Sequence, residues 1–140
     1  MSDDVRRSVS IERLQQGVYL ARNARGGELR FGSAAGADFT PVELLLAAIA
    51  GCTAVDVDTV TSRRAEPERF TATVEADKVR DATGNVLQDI VLTLDVLFGE
   101  GPEGDAARAA LPRALEVSHD RSCTVSRTIE AGTPVRSRLA

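Results

Sequence analysis

Apolar and polar residues alternate in short runs between Val9 and Phe31, "SVSIERL", "GVYLARN" and "GELRFG", and the runs are broken at Gly17 and at the pair Gly26-Gly27. A period of two is that of a half-buried strand, and glycine between such runs lets the chain reverse, so this stretch predicts two or three strands joined by tight turns. The small, glycine-rich segment "GSAAGADFTP" ends the alternation. It predicts a loop into a helix that Thr40 caps and Pro41 opens at the first helical position.

That helix is expected from about Pro41 to Arg64. Between Val42 and Val55, "VELLLAAIAGCTAV" places apolar side chains on almost every face, which a surface helix with one apolar stripe does not do. Such a helix must be covered all round, by layers on both sides or by a second copy of the chain. Its strongly apolar run, Leu44 to Ala50, is far shorter than the ~20 residues a bilayer span needs, so a membrane is not an expected partner.

"TSRRAEPERF" closes the helix, with Glu66-Pro67 as the stop. "FTATVEADKV" and "IVLTLDVLF" then alternate cleanly on either side of "RDATGNVLQD", whose Gly84-Asn85 predicts the turn of a long antiparallel hairpin. After the loop "GEGPEGD", Ala107, Leu111, Leu115 and Val117 fall at helical spacing, and Pro112 inside that pattern predicts a kink or a restart. "SCTVSRTIEAG" predicts a short turn of helix and "TPVRSRL" a last strand. The order of elements is that of an α+β fold, antiparallel sheets around a buried central helix, in a single domain over residues 1–140.

Composition narrows the partners. The 140 residues are 43% hydrophobic and 27% charged, with a formal net charge of -4, so the chain is globular and has no general attraction to nucleic acid. Only Lys78 among the 17 basic residues is a lysine. The start "MSDDVRRSVSIERL" has no apolar core of a signal peptide, so a cytoplasmic location is expected. In that reducing compartment two cysteines are catalytic, redox-sensing or inert rather than a permanent bridge.

The cysteines are Cys52, within the apolar helix, and Cys123, in "SHDRSCTVSRT". A helical cysteine can simply be a small core hydrophobe. A nucleophilic one must become a thiolate, which requires a nearby cation, a helix N-terminus or a metal. Cys52 lies about three turns into its helix, beyond the reach of the N-terminal dipole, so an arginine would have to serve. Arg22 and Arg25 of "ARNARGG" are the candidates, although both also suit a plain surface turn. If Ser122 caps the short helix, Cys123 sits in its first turn among exposed amides and suits a resolving thiol.

Other chemistries fit less well. A zinc site has only Cys52, Cys123 and His119 to draw on, without CxxC or HxxxH spacing. A Cys-His-Asp triad with His119 and Asp120 lacks a local signature, and His119 reads as a capping or packing residue. No flavin, heme or nicotinamide motif is present, so no cofactor is expected. Asp56, four residues after Cys52 and on roughly the same face, opposes thiolate formation or pairs with a basic residue of another subunit.

The pair of segments "TPVELLLAAIAGCTAVDV" and "SHDRSCTVSRT" resembles the OsmC/Ohr family of cysteine-based hydroperoxide reductases, and the Pro-x-Glu-Leu before the first cysteine is closest to its OsmC-like branch. The resemblance implies an intertwined homodimer with active sites at the subunit interface. It also implies that Cys52 attacks an organic hydroperoxide and becomes a sulfenic acid, and that Cys123 closes a disulfide which an external dithiol reduces. An arginine, Arg25 in preference to Arg22, would hold the thiolate. The family's glutamate stands ten residues before the cysteine, where this chain has Val42; Glu43 is nine before and points roughly 180° away on a regular helix. Glu43 therefore reaches the site through an irregular first turn, caps the helix or pairs elsewhere. The alternatives are an OsmC-like protein that binds an apolar ligand or senses redox state with little turnover, and a structural dimer with inert thiols.

Overall fold

The computed structural model describes residues 5–33, 36 and 38–140. They form two compact units, one up to Leu45 and one over Leu46–Ala140.

In the first unit β1 (Ser10–Gln15), β2 (Val18–Arg22) and β3 (Glu28–Gly32) make an antiparallel meander in sequence order. The β2–β3 register runs from Val18 opposite Gly32 to Arg22 opposite Glu28. Each predicted break is a turn with a local cause. Gly17 adopts φ 76°, a left-handed conformation that a side chain would strain. Between β2 and β3 the Asn23 side chain accepts from the Arg25 and Gly27 amides at 3.0 and 2.9 Å, folding the turn on itself. The predicted loop after β3 falls partly on residues 34, 35 and 37, outside the described residues.

Helix α1 (Pro41–Thr61) starts where expected. The Glu43 amide donates to Thr40 Oγ1 at 3.2 Å, and the Thr40 amide donates back to Glu43 Oε1 at 2.9 Å, a reciprocal capping box. The helix stops at Thr61, about a turn before Arg64, where the Arg64 and Ala65 amides both close on the Thr61 carbonyl. All-round burial is not what the single chain achieves. Only Ile49, Thr53, Val57 and Thr61, one stripe at four-residue spacing, are buried, while Val42, Leu45 and Val55 are exposed. Taken whole, the 21-residue helix is long and apolar enough to cross a bilayer, which its seven-residue apolar run alone does not convey. The helix nevertheless packs within the chain, through Thr53 on that stripe and through Asp56 beside it, whose carboxylate accepts from Ser118.

In the second unit β4 (Pro67–Asp81) and β5 (Gly84–Phe98) pair along their full length. The turn lies at Ala82-Thr83, earlier than the Gly84-Asn85 prediction, because Asp81 Oδ1 accepts from the Thr83 amide, the Thr83 hydroxyl and the Gly84 amide and so closes the reversal. Much of the expected linker is thus strand. A bulge follows, with Asp89 at φ 53° and Ile90 both opposite the single residue Ala76.

Helix α2 (Pro102–Val117) runs through Pro112 without a restart. Beyond it come one π-helical turn (Ser118–Ser122) and α3 (Thr124–Ala131), which ends on Gly132 at φ 66°. The predicted strand "TPVRSRL" does not form. Among the described residues no strand lies beside it to take its backbone bonds, and Val135 and Leu139 are almost fully exposed.

Candidate thiol active site

Cys123 and Cys52 meet at the first turn of α3. The expectation that Ser122 caps this helix is corrected: Cys123 is itself the N-cap, and its Sγ accepts from the Ser126 amide at 3.4 Å. The π turn delivers it there, since the Cys123 amide closes back on the Ser118 carbonyl at 2.7 Å. Two hydroxyls complete its surroundings, Thr53 donating to Sγ at 3.7 Å and Ser126 Oγ lying 3.3 Å away. Cys123 is fully buried.

Cys52, on α1, is half-buried. It lies near enough to Cys123 and to the Val125 amide of α3 for both to influence its ionisation. The two thiols are free. Their environments push them apart. Burial drives the Cys52 thiol up; the Val125 amide opposes this, while the Cys123 sulfur and the Asp56 carboxylate add to the rise. Burial also disfavours a Cys123 thiolate, but the Ser126 hydroxyl, the Cys52 thiol, the Ser126 amide and the Thr53 hydroxyl together outweigh it, and Cys123 is lowered.

Asp56 Oδ2 accepts from the buried Ser118 hydroxyl at 2.8 Å, so its partner within the chain is a serine rather than a base. His119 is exposed and bridges Asp120 at 3.0 Å and Glu130 at 3.3 Å. These contacts, Asp120 foremost, raise its pKa, and they bind it to two carboxylates instead of a nucleophile.

Arg22, Arg25 and Glu43 belong to the first unit. Arg22 is engaged on the strands, 2.9 Å from Glu28 and 3.6 Å from Glu12. Among the described residues the Arg25 guanidinium has no ion-pair partner. Glu43 is occupied by the capping box, one of the alternatives its spacing left open.

Thr53, Ser118 and Ser126 are site residues that sequence reasoning missed. Ser126 had a signal: it stands three residues after Cys123, the spacing at which a cap meets the N3 amide. A cavity of about 410 Å³ abuts these groups, with Thr53, Ser126, His119 and Glu130 in its largely apolar lining beside Ile49 and Leu115; neither cysteine lines it directly. Such a chamber suits an apolar group with a polar end.

Two free cysteines therefore stand where α1 meets the start of α3, on an α+β frame. Residues 33–138 match the family of OsmC-like proteins, and the chain belongs to it. An uncharacterised protein of Mycobacterium tuberculosis is 30% identical over 127 residues, which are 89% of this chain and 90% of that one. Among solved structures, a hypothetical protein of Aquifex aeolicus superposes with a TM-score of 0.73 at 19% identity, covering 91% of this chain and 89% of the other. The organic hydroperoxide resistance protein OhrB of Bacillus subtilis does so with 0.56 at 12% identity, covering 88% and 90%.

Proposed function

We propose that the protein is a thiol-dependent peroxidase of organic, lipid-type hydroperoxides, cycling through a Cys52 sulfenic acid and a Cys52–Cys123 disulfide. The observation that supports this reading is that Thr53, the residue after Cys52 on α1, donates to the Cys123 sulfur at 3.7 Å, which brings the two cysteine positions to one junction of α1 and α3. Cys52 is the attacking thiol because it is the accessible one; Cys123 is wholly covered. The apolar cavity beside Thr53 and Ser126 would receive the alkyl part of the substrate. An external dithiol in the cytoplasm would regenerate the pair.

The working form in this reading is a homodimer with sites at the interface. Opposite its buried stripe, α1 presents Ala48, Gly51 and Val55. Gly51 costs a helix about 1 kcal/mol relative to alanine, and an added Cβ would meet nothing in the chain. A flat, small, apolar helix face is suited to close approach by a second copy. Arg25, whose guanidinium has no ion-pair partner among the described residues, is then the better candidate than Arg22 for a cation at the thiolate, and Glu43 supports the helix start.

The upward push on Cys52 by burial and Asp56 favours a second reading, a redox sensor or apolar-ligand binder with little turnover. One assay separates them. With dithiothreitol or dihydrolipoamide as reductant, wild-type protein should consume cumene hydroperoxide catalytically, while the variant with Cys52→Ser and Cys123→Ser should not. Equal consumption by the two removes the peroxidase reading; a single stoichiometric disulfide without turnover favours the sensor.

A further inference from the structure

A second cavity, of about 490 Å³, lies between α1 and α2, and neither cysteine lines it. Its apolar wall is Val60 from α1 with Ala110, Ala114 and Val117 from α2. Across it the Asp56 carboxylate accepts from the Ser118 hydroxyl at 2.8 Å and ties α1 to the π turn. Arg64, just past the end of α1, folds its side chain back on the helix. Its Nη1 donates to the Val60 carbonyl at 3.3 Å, which holds the guanidinium at the cavity wall. Val60 is one helical turn, about 6 Å along the axis, beyond Asp56.

Three charged side chains line this cavity, and two are committed. Asp56 is held by Ser118, and Arg113 Nη1 stands 3.2 Å from Glu116 on its own helix. Arg64 has no ion-pair partner among the described residues, and the one bond it makes back to α1 is to a neutral carbonyl. The remaining donors of its planar fork match the two oxygens of a carboxylate. The Asp56 carboxylate, one turn away, repels a second negative charge. The volume is that of a pocket for a small organic molecule rather than for a bare ion, and the wall between the charges is apolar. We propose that this groove binds a small aliphatic monocarboxylate, its head on Arg64 and its chain over Val60, Ala114 and Val117. The site is separate from the thiol chemistry proposed above and does not depend on it.

A second copy of the chain is the poorer occupant. The face of α1 offered to one, Ala48, Gly51 and Val55, contributes nothing to this lining. A helix laid over Arg64 would also strip water from the guanidinium without supplying a counter-charge. The cavity beside Thr53 and Ser126 is the poorer site for such a head group. Its one cationic candidate, His119, already meets Asp120 and Glu130 on its two ring nitrogens.

The test is a chemical-shift titration of the reduced, assembled, isotope-labelled protein with octanoate at about pH 7, where the probe is ionised. Octanamide, which keeps the chain and loses the charge, and suberate, which adds a second carboxylate, are titrated beside it. We expect saturable shifts at the amides of Val60, Arg64, Ala114 and Ser118. Octanoate should bind roughly fivefold more tightly than octanamide, the gain of a partly exposed charge-assisted pair, and more tightly than suberate. Arg64→Gln should remove that advantage over octanamide. Ala110→Leu, which fills the wall without touching the cation, should weaken octanoate as well. No saturable shift at millimolar octanoate, the outcome of a groove closed by a second copy, overturns the proposal. Shifts that cluster instead at Thr53, Ile90 and Ser126 place the ligand in the other cavity and overturn it too. So does unchanged octanoate affinity in either variant, each confirmed as folded by circular dichroism. No step of the test uses peroxide, so its outcome is read apart from the peroxidase assay.

Discussion

Asp56→Asn isolates one electrostatic effect at the candidate site. The carboxylate is one helical turn beyond Cys52, where Cβ atoms lie about 5–6 Å apart, and it raises the Cys52 thiol by simple repulsion of the thiolate. At such a separation a unit charge is worth about 1 kcal/mol in a mostly aqueous setting and about 3 kcal/mol at an effective dielectric near 20. Because Cys52 is only half-buried, the lower figure applies. Asparagine keeps an oxygen that can accept from Ser118, now 2.8 Å from the carboxylate, so the fold should lose only about 1 kcal/mol as a charge-assisted bond becomes neutral. The expected result is a Cys52 alkylation rate about fivefold faster at pH 7, with the pH profile displaced downward. Measured by iodoacetamide labelling with peptide mapping, an unchanged or slower rate would show that Asp56 does not face the thiol, and the electrostatic account of Cys52 would fall.

Further predictions concern the frame. Val57→Ala empties a fully buried position on the α1 stripe and should cost about 1–3 kcal/mol, read as a lowered denaturation midpoint at unchanged slope. Thr40→Ala removes the capping hydroxyl that accepts from Glu43 and should cost about 1 kcal/mol in the same measurement. Asp81 is held below the usual carboxylate range by the Thr83 hydroxyl and amide and the Gly84 amide. Its contribution is therefore present above the unfolded carboxyl pKa and lost as pH falls through the lower folded one, so hydrogen exchange at Thr83 and Gly84 should accelerate in that acid window, and Asp81→Ala should abolish the dependence. Val55→Glu alters a residue that is 66% exposed in the single chain, so it should leave a monomer's stability nearly unchanged but abolish dimers in analytical ultracentrifugation; a dimer that persists removes that face from the proposed interface.

Local chemistry was the legible part. The breaks at Gly17 and Gly26, the Thr40-Pro41 start and the two alternating runs after Pro67 each carry their cause within a few residues, and each stands where its pattern placed it. What escaped depends on partners distant in the chain. "TPVRSRL" has the period of a strand, but a strand exists only where another edge accepts its bonds. The hairpin turn moved because a side-chain acceptor, Asp81, outweighed the glycine signal. Cys52 and Cys123 were legible as a pair through their contexts, and Ser126 by its spacing from Cys123, whereas Thr53 became a site residue only once α1 brought its hydroxyl to the Cys123 sulfur.

Helix α1 also explains why chemistry and assembly would be coupled in the proposed dimer. Its inner stripe, Ile49, Thr53, Val57 and Thr61, is committed to the chain's own packing and touches the buried sulfur through Thr53. Its outer stripe, Ala48, Gly51 and Val55, is uncovered. At about 100° per residue Cys52 falls between the two, neither in the core nor on the open face. A second helix laid on the outer stripe would therefore further desolvate the Cys52 thiol, raising the cost of charge on that atom while leaving the donors around Cys123 untouched. Desolvation of this kind penalises a resting thiolate on Cys52 more than one on Cys123, so association would widen the separation already present within one chain. Only a cation brought in with the partner, for which Arg25, without an ion-pair partner among the described residues, is the candidate, would act in the opposite sense.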